Sequence, residues 1–211
     1  SWDQILNGSL DSQYVELQGI VTEVHEDGVK LLTRVGKIEM DLGGKSREEW
    51  RRFEDALVRV RGCALAVYDR VTRLVISGKI RFIQPSIIVD EFPPADPFAV
   101  TPKRLAALRR FDLQASAFQR VKVSGQVVHA HNGHYCLMDG TNGLRFFPKN
   151  EVSLPLGAVA DVVGILDLSG PSPGLREARV RQLGRERLPE ATVLAGTNLL
   201  SGAHDATRVR V

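Results

Sequence analysis

Cysteine is scarce in this sequence: Cys63 and Cys136 are the only two among 211 residues. Two thiols make no disulfide framework, and these fall in different predicted modules, so both read as semi-buried free thiols. Long apolar runs are also missing. None approaches the roughly 20 residues a helix needs to cross a bilayer, and no stretch is built like a secretory signal. Aromatics make up 6% of the chain and the formal net charge is +3, too small an excess to argue for nucleic acid on electrostatics alone. Catalytic signatures are lacking as well. There is no zinc-protease HExxH, EF-hand loop or dinucleotide fingerprint, and no nucleophile–base pair or carboxylate dyad stands out, so no enzyme is expected. Gly43-Gly-Lys-Ser46 resembles the end of a phosphate-binding loop, but Glu39 stands where that loop needs its first glycine. Asn7-Gly-Ser9 matches the glycosylation tripeptide, a pattern common by chance.

What is present is an ordinary globular composition, 43% hydrophobic and 25% charged, and a repeat. Leu6, Gly8, Asp11, Val15 and Leu17 recur at the same offsets as Leu200, Gly202, Asp205, Val209 and Val211. A looser start lies near 101, where Thr101 is placed as a helix N-cap with Pro102 at the first helical position. Three starts therefore precede alternating β sequence, and the third is followed by a single strand.

The first module reads as strands over 15–24, 29–35 and 37–42, then a short helix. Ser46-Arg-Glu-Glu49 forms a capping box for that helix, and Trp50, Phe53 and Leu57 share one of its faces. Two further strands begin near Leu57 and Leu74. The second module repeats the order over 120–131, 134–139, 143–147, 158–168 and 175–183, with a short loop between Pro148 and Pro155 in place of the helix. Gly19 corresponds to Gly125, and Gly62 to Gly164. The expected fold is mainly β: tandem five-stranded OB-like barrels with short helices. The expected domains are 1–92, then 93–190 with its Pro-rich linker at 92–97, then 191–211 as the start of a third repeat. The tail 207–211 is expected to dock on the second module, pair between molecules, or stay disordered.

The starts at Leu6, Gly8 and Asp11, the strand Val58–Cys63 and the stretch Ile80–Pro85 carry a family likeness. With the Thr101–Pro102 restart and the Leu137–Asp139 strand, they resemble the OB-like repeat region ahead of the kinase core in large bacterial sensor histidine kinases. The resemblance implies a noncatalytic, periplasmic part of a two-component signalling receptor. Its job would be recognition of a ligand or protein partner, or spacing. Its partners would include neighbouring repeats of the same chain. Membrane contact and any kinase activity would lie in segments outside this chain, and nucleic acid would not be the expected partner. The family pattern supplies no catalytic residues.

Two local features carry possible chemistry. In His129-Ala-His131-Asn-Gly-His134-Tyr-Cys136, Asn132-Gly133 is a two-residue hairpin signal. Closure there sets His131 against His134 and His129 against Cys136 on one face, a ligand set suited to zinc or copper. A polar hairpin tip is the plain reading of the same residues. The other feature supports the alternative function, an OB module that binds single-stranded nucleic acid. OB barrels bind oligonucleotides on strands 2 and 3, with aromatics among basic residues. Tyr135, Arg145, Phe146, Phe147 and Lys149 fit that pattern. The corresponding strands of the first module carry Lys30, Arg34 and Lys37 and no aromatic.

Overall fold

The computed structural model describes residues 2–42, 47–108, 118–168, 172–195 and 203–211. The chain divides into two units, Ser1–Ala95 and Asp96–Val211. The first contains α1 (Trp2–Leu6), β1 (Gln13–Val24), β2 (Gly28–Leu32), β3 (Lys37–Asp41), α2 (Arg47–Arg51), β4 (Leu57–Tyr68) and β5 (Val75–Glu91). Its five strands close into a barrel in the order β1-β2-β3-β5-β4. Pairing is antiparallel except between β3 and β5. Strand alternation fills the interior: on β4, Val58, Val60 and Ala64 are buried while Arg59, Arg61 and Cys63 between them are only half-buried. Trp50 and Phe53, from α2 and the turn after it, join the same core.

The second unit opens with a 3-10 turn at Pro97–Ala99 and α3 (Leu105–Leu108). β6 (Arg120–His131), β7 (His134–Asp139), β8 (Asn142–Pro148), β9 (Ala158–Asp167) and β10 (Gly174–Arg185) follow. They close in the order β6-β7-β8-β10-β9, again with one parallel pair, β8 with β10. Here Val152 and Leu154, from the loop after β8, pack on the core. A two-residue parallel pair, β11 (Thr192–Val193) and β12 (Val209–Arg210), completes the unit.

The glycine pairs have a physical reason. A Cβ on Gly19 would lie 2.5 Å from the Leu32 carbonyl oxygen, and one on Gly125 would lie 2.4 Å from that of Met138. At both places the long first strand coils tightly against the second. Gly62 and Gly164 each face a bulge on the neighbouring strand, where Gln84 (φ 49°) and Glu177 (φ 53°) are left-handed. The bulge at Gln84 lets β5 continue through Pro85 to Glu91, well past the strand expected from the sequence.

The two stretches around residues 12 and 206 also share backbone geometry. Ser12 has φ 60° and Ala206, at the same offset, φ 57°. A turn joins Gln13 N–H to the Leu10 carbonyl at 3.1 Å, and its counterpart joins Thr207 N–H to that of His204 at 3.2 Å. The middle start differs from expectation. Pro102 bridges Lys122 in a parallel manner and Lys103 N–H donates to the Lys122 carbonyl, so the chain stays extended and the helix begins only at Leu105. Asp96, not Thr101, is the capping residue; its carboxylate accepts from Phe98 N–H at 2.9 Å ahead of the 3-10 turn. Gly43–Ser46 with the capping-box Ser46, and Leu200 and Gly202 of the repeat argument, lie outside the described residues.

Candidate nucleic-acid interface

The hairpin between β6 and β7 closes as its sequence suggests. Asn132 (φ 47°) and Gly133 (φ 75°) are both left-handed, the requirement of a type I′ turn. His131 then pairs with His134, Ala130 with Tyr135, and His129 with Cys136. The three imidazoles gather on the outer face, with ring centres 6.3 Å apart for His129–His131, 5.8 Å for His129–His134 and 6.1 Å for His131–His134. Phe147 on β8 extends the row: it is 48% exposed and its ring centre lies 6.0 Å from that of His134. Four rings thus form one exposed patch across β6, β7 and β8.

Two of the aromatics expected on this face are elsewhere. Tyr135 and Phe146 point into the barrel, where they stack at 5.2 Å between ring centres and are almost wholly buried. Alternation explains it: facing His134 and Phe147 outward turns their chain neighbours inward. The Tyr135 hydroxyl is further tied to the Val152 carbonyl at 2.5 Å. Neither ring can take a base. Arg145 and Lys149 are where they were expected, on β8 and just beyond it. Arg145 pairs across the strands with Cys136, and Lys149 N–H donates to the Ala178 carbonyl at 2.9 Å.

The expected metal set shares a face but not a point. Among the described residues, no three His, Cys, Asp or Glu side chains are already disposed to hold an ion. Cys136 departs furthest from the expectation. It is half-buried, and burial raises its pKa further than the nearby Arg145 guanidinium lowers it, with Asp205 adding to the rise. It is therefore a neutral thiol at neutral pH and not a ready thiolate ligand.

The far end of the same face is covered by the chain itself. Asp205 forms an ion pair with Arg145. Arg208 N–H lies 3.2 Å from the Met138 sulfur. The Ala206 backbone lies flat on Gly143, where a Cβ would come within 2.3 Å of the Ala206 carbonyl oxygen. Burial would raise the Asp205 pKa, but hydrogen bonds from Ser172 and Arg145 outweigh it and hold the carboxyl below its ordinary range. Of the three outcomes expected for the tail, docking on the second module is the one observed. Sequence reasoning did not find the seat. Its one signal was Gly143 opposite Met138, which marks a close backbone approach only once the approaching segment is known.

The equivalent strands of the first barrel, β1, β2 and β3, with their neighbour β5, present a different surface. Lys30 pairs with Glu23 at 2.7 Å, Lys79 with Glu39 at 2.5 Å and Arg81 with Asp41 at 2.8 Å. A hollow of about 690 Å³ between the 25–28 and 68–76 regions is lined by Asp27, Asp41, Asp69, Arg70, Lys79 and Arg81 among others. Its charges are mixed, and Lys79 and Arg81 are paired with Glu39 and Asp41.

No family model matches the chain, and no curated protein matches it. Solved structures do. A murine DNA-binding protein bound to double-stranded DNA is 11% identical over 82% of this chain and 99% of that one, with a TM-score of 0.33. The tetrameric p202 HIN2 domain is 12% identical over 82% of this chain and 94% of that one, with a TM-score of 0.32. A HINa domain in complex with duplex DNA gives 8% identity over 83% and 98%, with a TM-score of 0.32. These findings correct the expectation of a bacterial signalling-receptor region for which nucleic acid is not the expected partner: two of the similar structures named here are of domains bound to double-stranded DNA, and nothing links the chain to a receptor. At such TM-scores the likeness carries no argument about what this chain binds.

Proposed function

We propose that the chain is a tandem pair of OB-like barrels, and that the second binds single-stranded nucleic acid on the outer face of β6, β7 and β8. One observation carries the reading: an exposed row of rings in which His134 and Phe147 lie on the second and third barrel strands, those that OB barrels use for oligonucleotides, with His129 and His131 beside them at the hairpin end of the first. Unpaired bases offer π-faces that stack on such rings whatever the sequence, whereas in a duplex those faces are covered by neighbouring pairs. Lys149, just beyond β8, adds a donor for phosphate, whereas Arg145 is already ion-paired with Asp205. Asp205 would repel a phosphate, but its charge is balanced by Arg145. The barrel acts as a binding module without chemistry of its own. The matching turns at Leu10–Gln13 and His204–Thr207, and the matched close approaches at Gly19 and Gly125, support the repeat.

The test is fluorescence anisotropy with a labelled single strand of about ten nucleotides, within the usual site size of an OB barrel. Affinity should fall as salt rises, because phosphate contacts release counterions. Phe147→Ala should cost about 1–3 kcal/mol, the usual value of one base–ring stack. Tyr14→Ala, at an exposed ring of the first barrel, should change nothing. Binding that ignores Phe147→Ala, no binding at low salt, or tighter binding to a duplex of equal length would each defeat the proposal.

A further inference from the structure

We propose that the outer side of β7 and β8 continues past the ring patch into a phosphate subsite centred on Arg145, and that residues 205–208 hold this subsite closed. The inference rests on the single-strand reading above and assigns the control of that face to the docked segment.

Strand alternation places both parts on one surface. On β8, Leu144 and Phe146 are buried in the barrel, so Gly143, Arg145 and Phe147 make its outer row. On β7, Tyr135 and Leu137 are buried, and His134, Cys136 and Met138 make the outer row. The two rows are in register, with Cys136 opposite Arg145 and Met138 opposite Gly143. Successive outer residues of a strand stand about 6.5 Å apart, so Phe147 and Gly143 bound a face about 13 Å long with Arg145 at its middle. Its first part, at the rings, is open. The rest is covered: Asp205 holds Arg145, the Ala206 backbone lies on Gly143, and Arg208 N–H meets the Met138 sulfur.

The occupant shows what the subsite can take. Asp205 is an anion, and the planar fork of a guanidinium receives a carboxylate or a phosphate through the same pair of donors. A strand stacked on His134 and Phe147 carries its backbone along these rows, and its phosphate reaches Arg145 only once Asp205 has left. The segment is lightly held. The Arg145 side chain is half-exposed, and ion pairs in that setting are weak. β12 is two residues long and pairs with the equally short β11, in a sheet separate from the barrel. Departure of 205–208 therefore leaves the barrel ladder intact. It frees a cation and uncovers Met138 and the flat strip at Gly143. While the segment is seated, apparent affinity for a single strand is reduced by the fraction of molecules that are open.

Two variants of the full chain open the subsite by different routes. Asp205→Asn removes the internal anion. Gly143→Ala leaves every charge in place and puts a methyl group where the Ala206 backbone lies. Both are titrated with labelled oligothymidylate of about ten nucleotides. Asp205→Asn should bind about two- to fivefold more tightly than the parent, the worth of one exposed ion pair lost from the closed state. Gly143→Ala should gain by at least about twofold with no change of charge, and its salt dependence should steepen by about 0.7, one further phosphate contact on a single strand. Arg145→Ala should then cost more affinity in the Gly143→Ala background than in the parent, where Asp205 already occupies the guanidinium. Binding and docking exclude each other, so saturating oligothymidylate should speed amide exchange of 205–208 in the parent. Failure of the parent and both variants to bind would overturn the single-strand reading and this inference with it. Parent binding that Phe147→Ala weakens, with neither open variant binding more tightly and with 205–208 equally protected in the complex, would overturn this inference alone.

Discussion

The two barrels share a strand order and a parallel closure but carry opposite kinds of outer surface. On β1, β2 and β3 of the first, Glu23 pairs with Lys30, and Glu39 and Asp41 pair with Lys79 and Arg81 of the neighbouring β5, each within 2.8 Å. On β6, β7 and β8 of the second, the matching area carries three histidines and a phenylalanine. The interior dictates the barrel through alternation and the close approaches at Gly19, Gly62, Gly125 and Gly164. The exterior is left free to differ. In the first barrel that freedom yields a self-matched charge surface, and in the second an unsatisfied ring surface. An unsatisfied surface is the one with something left to bind.

The largest effect that would sharpen this division comes from two neighbouring residues. Phe146 is fully buried and Phe147 is 48% exposed. Phe146→Ala should destabilise the second barrel by about 3–5 kcal/mol, the cost of emptying an aromatic site in a packed core. Phe147→Ala should change stability by no more than about 0.5 kcal/mol while weakening single-strand binding by about 1–3 kcal/mol. Both tryptophans of the chain, Trp2 and Trp50, lie in the first unit, so their emission reports that barrel during urea unfolding. Phe146→Ala should lower the midpoint of the circular-dichroism transition and leave the emission midpoint in place. Equal shifts in both signals would mean that the barrels melt as one and that the division is drawn too sharply.

Much of this was legible in the residues, for reasons that differ by level. The ten barrel strands could be read because one face of each is buried, which imposes a period of two. The hairpin pairing could be read because Asn132-Gly133 fixes the register. Facing was harder. Counting aromatics on β7 and β8 put Tyr135 and Phe146 on the binding face, although the hairpin argument already turned His134 and Cys136 outward and so turned Tyr135 in. The helix expected from Thr101 failed because a tertiary contact, Pro102 against Lys122, overrode a local capping signal. The seat of residues 205–208 was out of reach, since it joins Gly143, Arg145 and Met138 to a segment some sixty residues away. The receptor reading rested on a likeness of structural motifs, which carry no information about ligand.

A smaller effect probes the boundary between the ring patch and the covered end of the face. The Asp205 carboxyl is held below its ordinary range, so its docking contribution is fully present above the unfolded value near ~3.9. That contribution is lost as pH falls through the lower folded value. Amides of 203–211 should therefore exchange faster in the parent once pH drops below about 4, after correction for intrinsic rates. In Asp205→Asn they should exchange fast at every pH. Gly143→Val should release the same segment at neutral pH, because its side chain would occupy the place of the Ala206 backbone. If Gly143→Val left those amides protected, Arg145 and Met138 would suffice as the seat without the close approach.

The smallest expected effect lies in the first barrel, and it bears directly on the claim that its charges are spent on one another. Lys79 and Glu39 pair across the parallel β3–β5 contact, and both remain partly exposed. Such a pair is worth about 0.2–1 kcal/mol, less as salt rises. The double-mutant cycle of Lys79→Ala and Glu39→Ala should return a coupling in that range by urea unfolding, read from Trp50 emission, and the coupling should shrink at high salt. Glu39→Ala has a second consequence. It strips the partner from Lys79 and leaves an unmatched cation on β5, beside the Arg81–Asp41 pair where β5 borders β3. If the first barrel is silent toward single strands only because its cations are matched, Glu39→Ala should give it weak, salt-sensitive binding that survives Phe147→Ala. If it gains none, matched charge is not what silences that face, and the missing aromatic rings are.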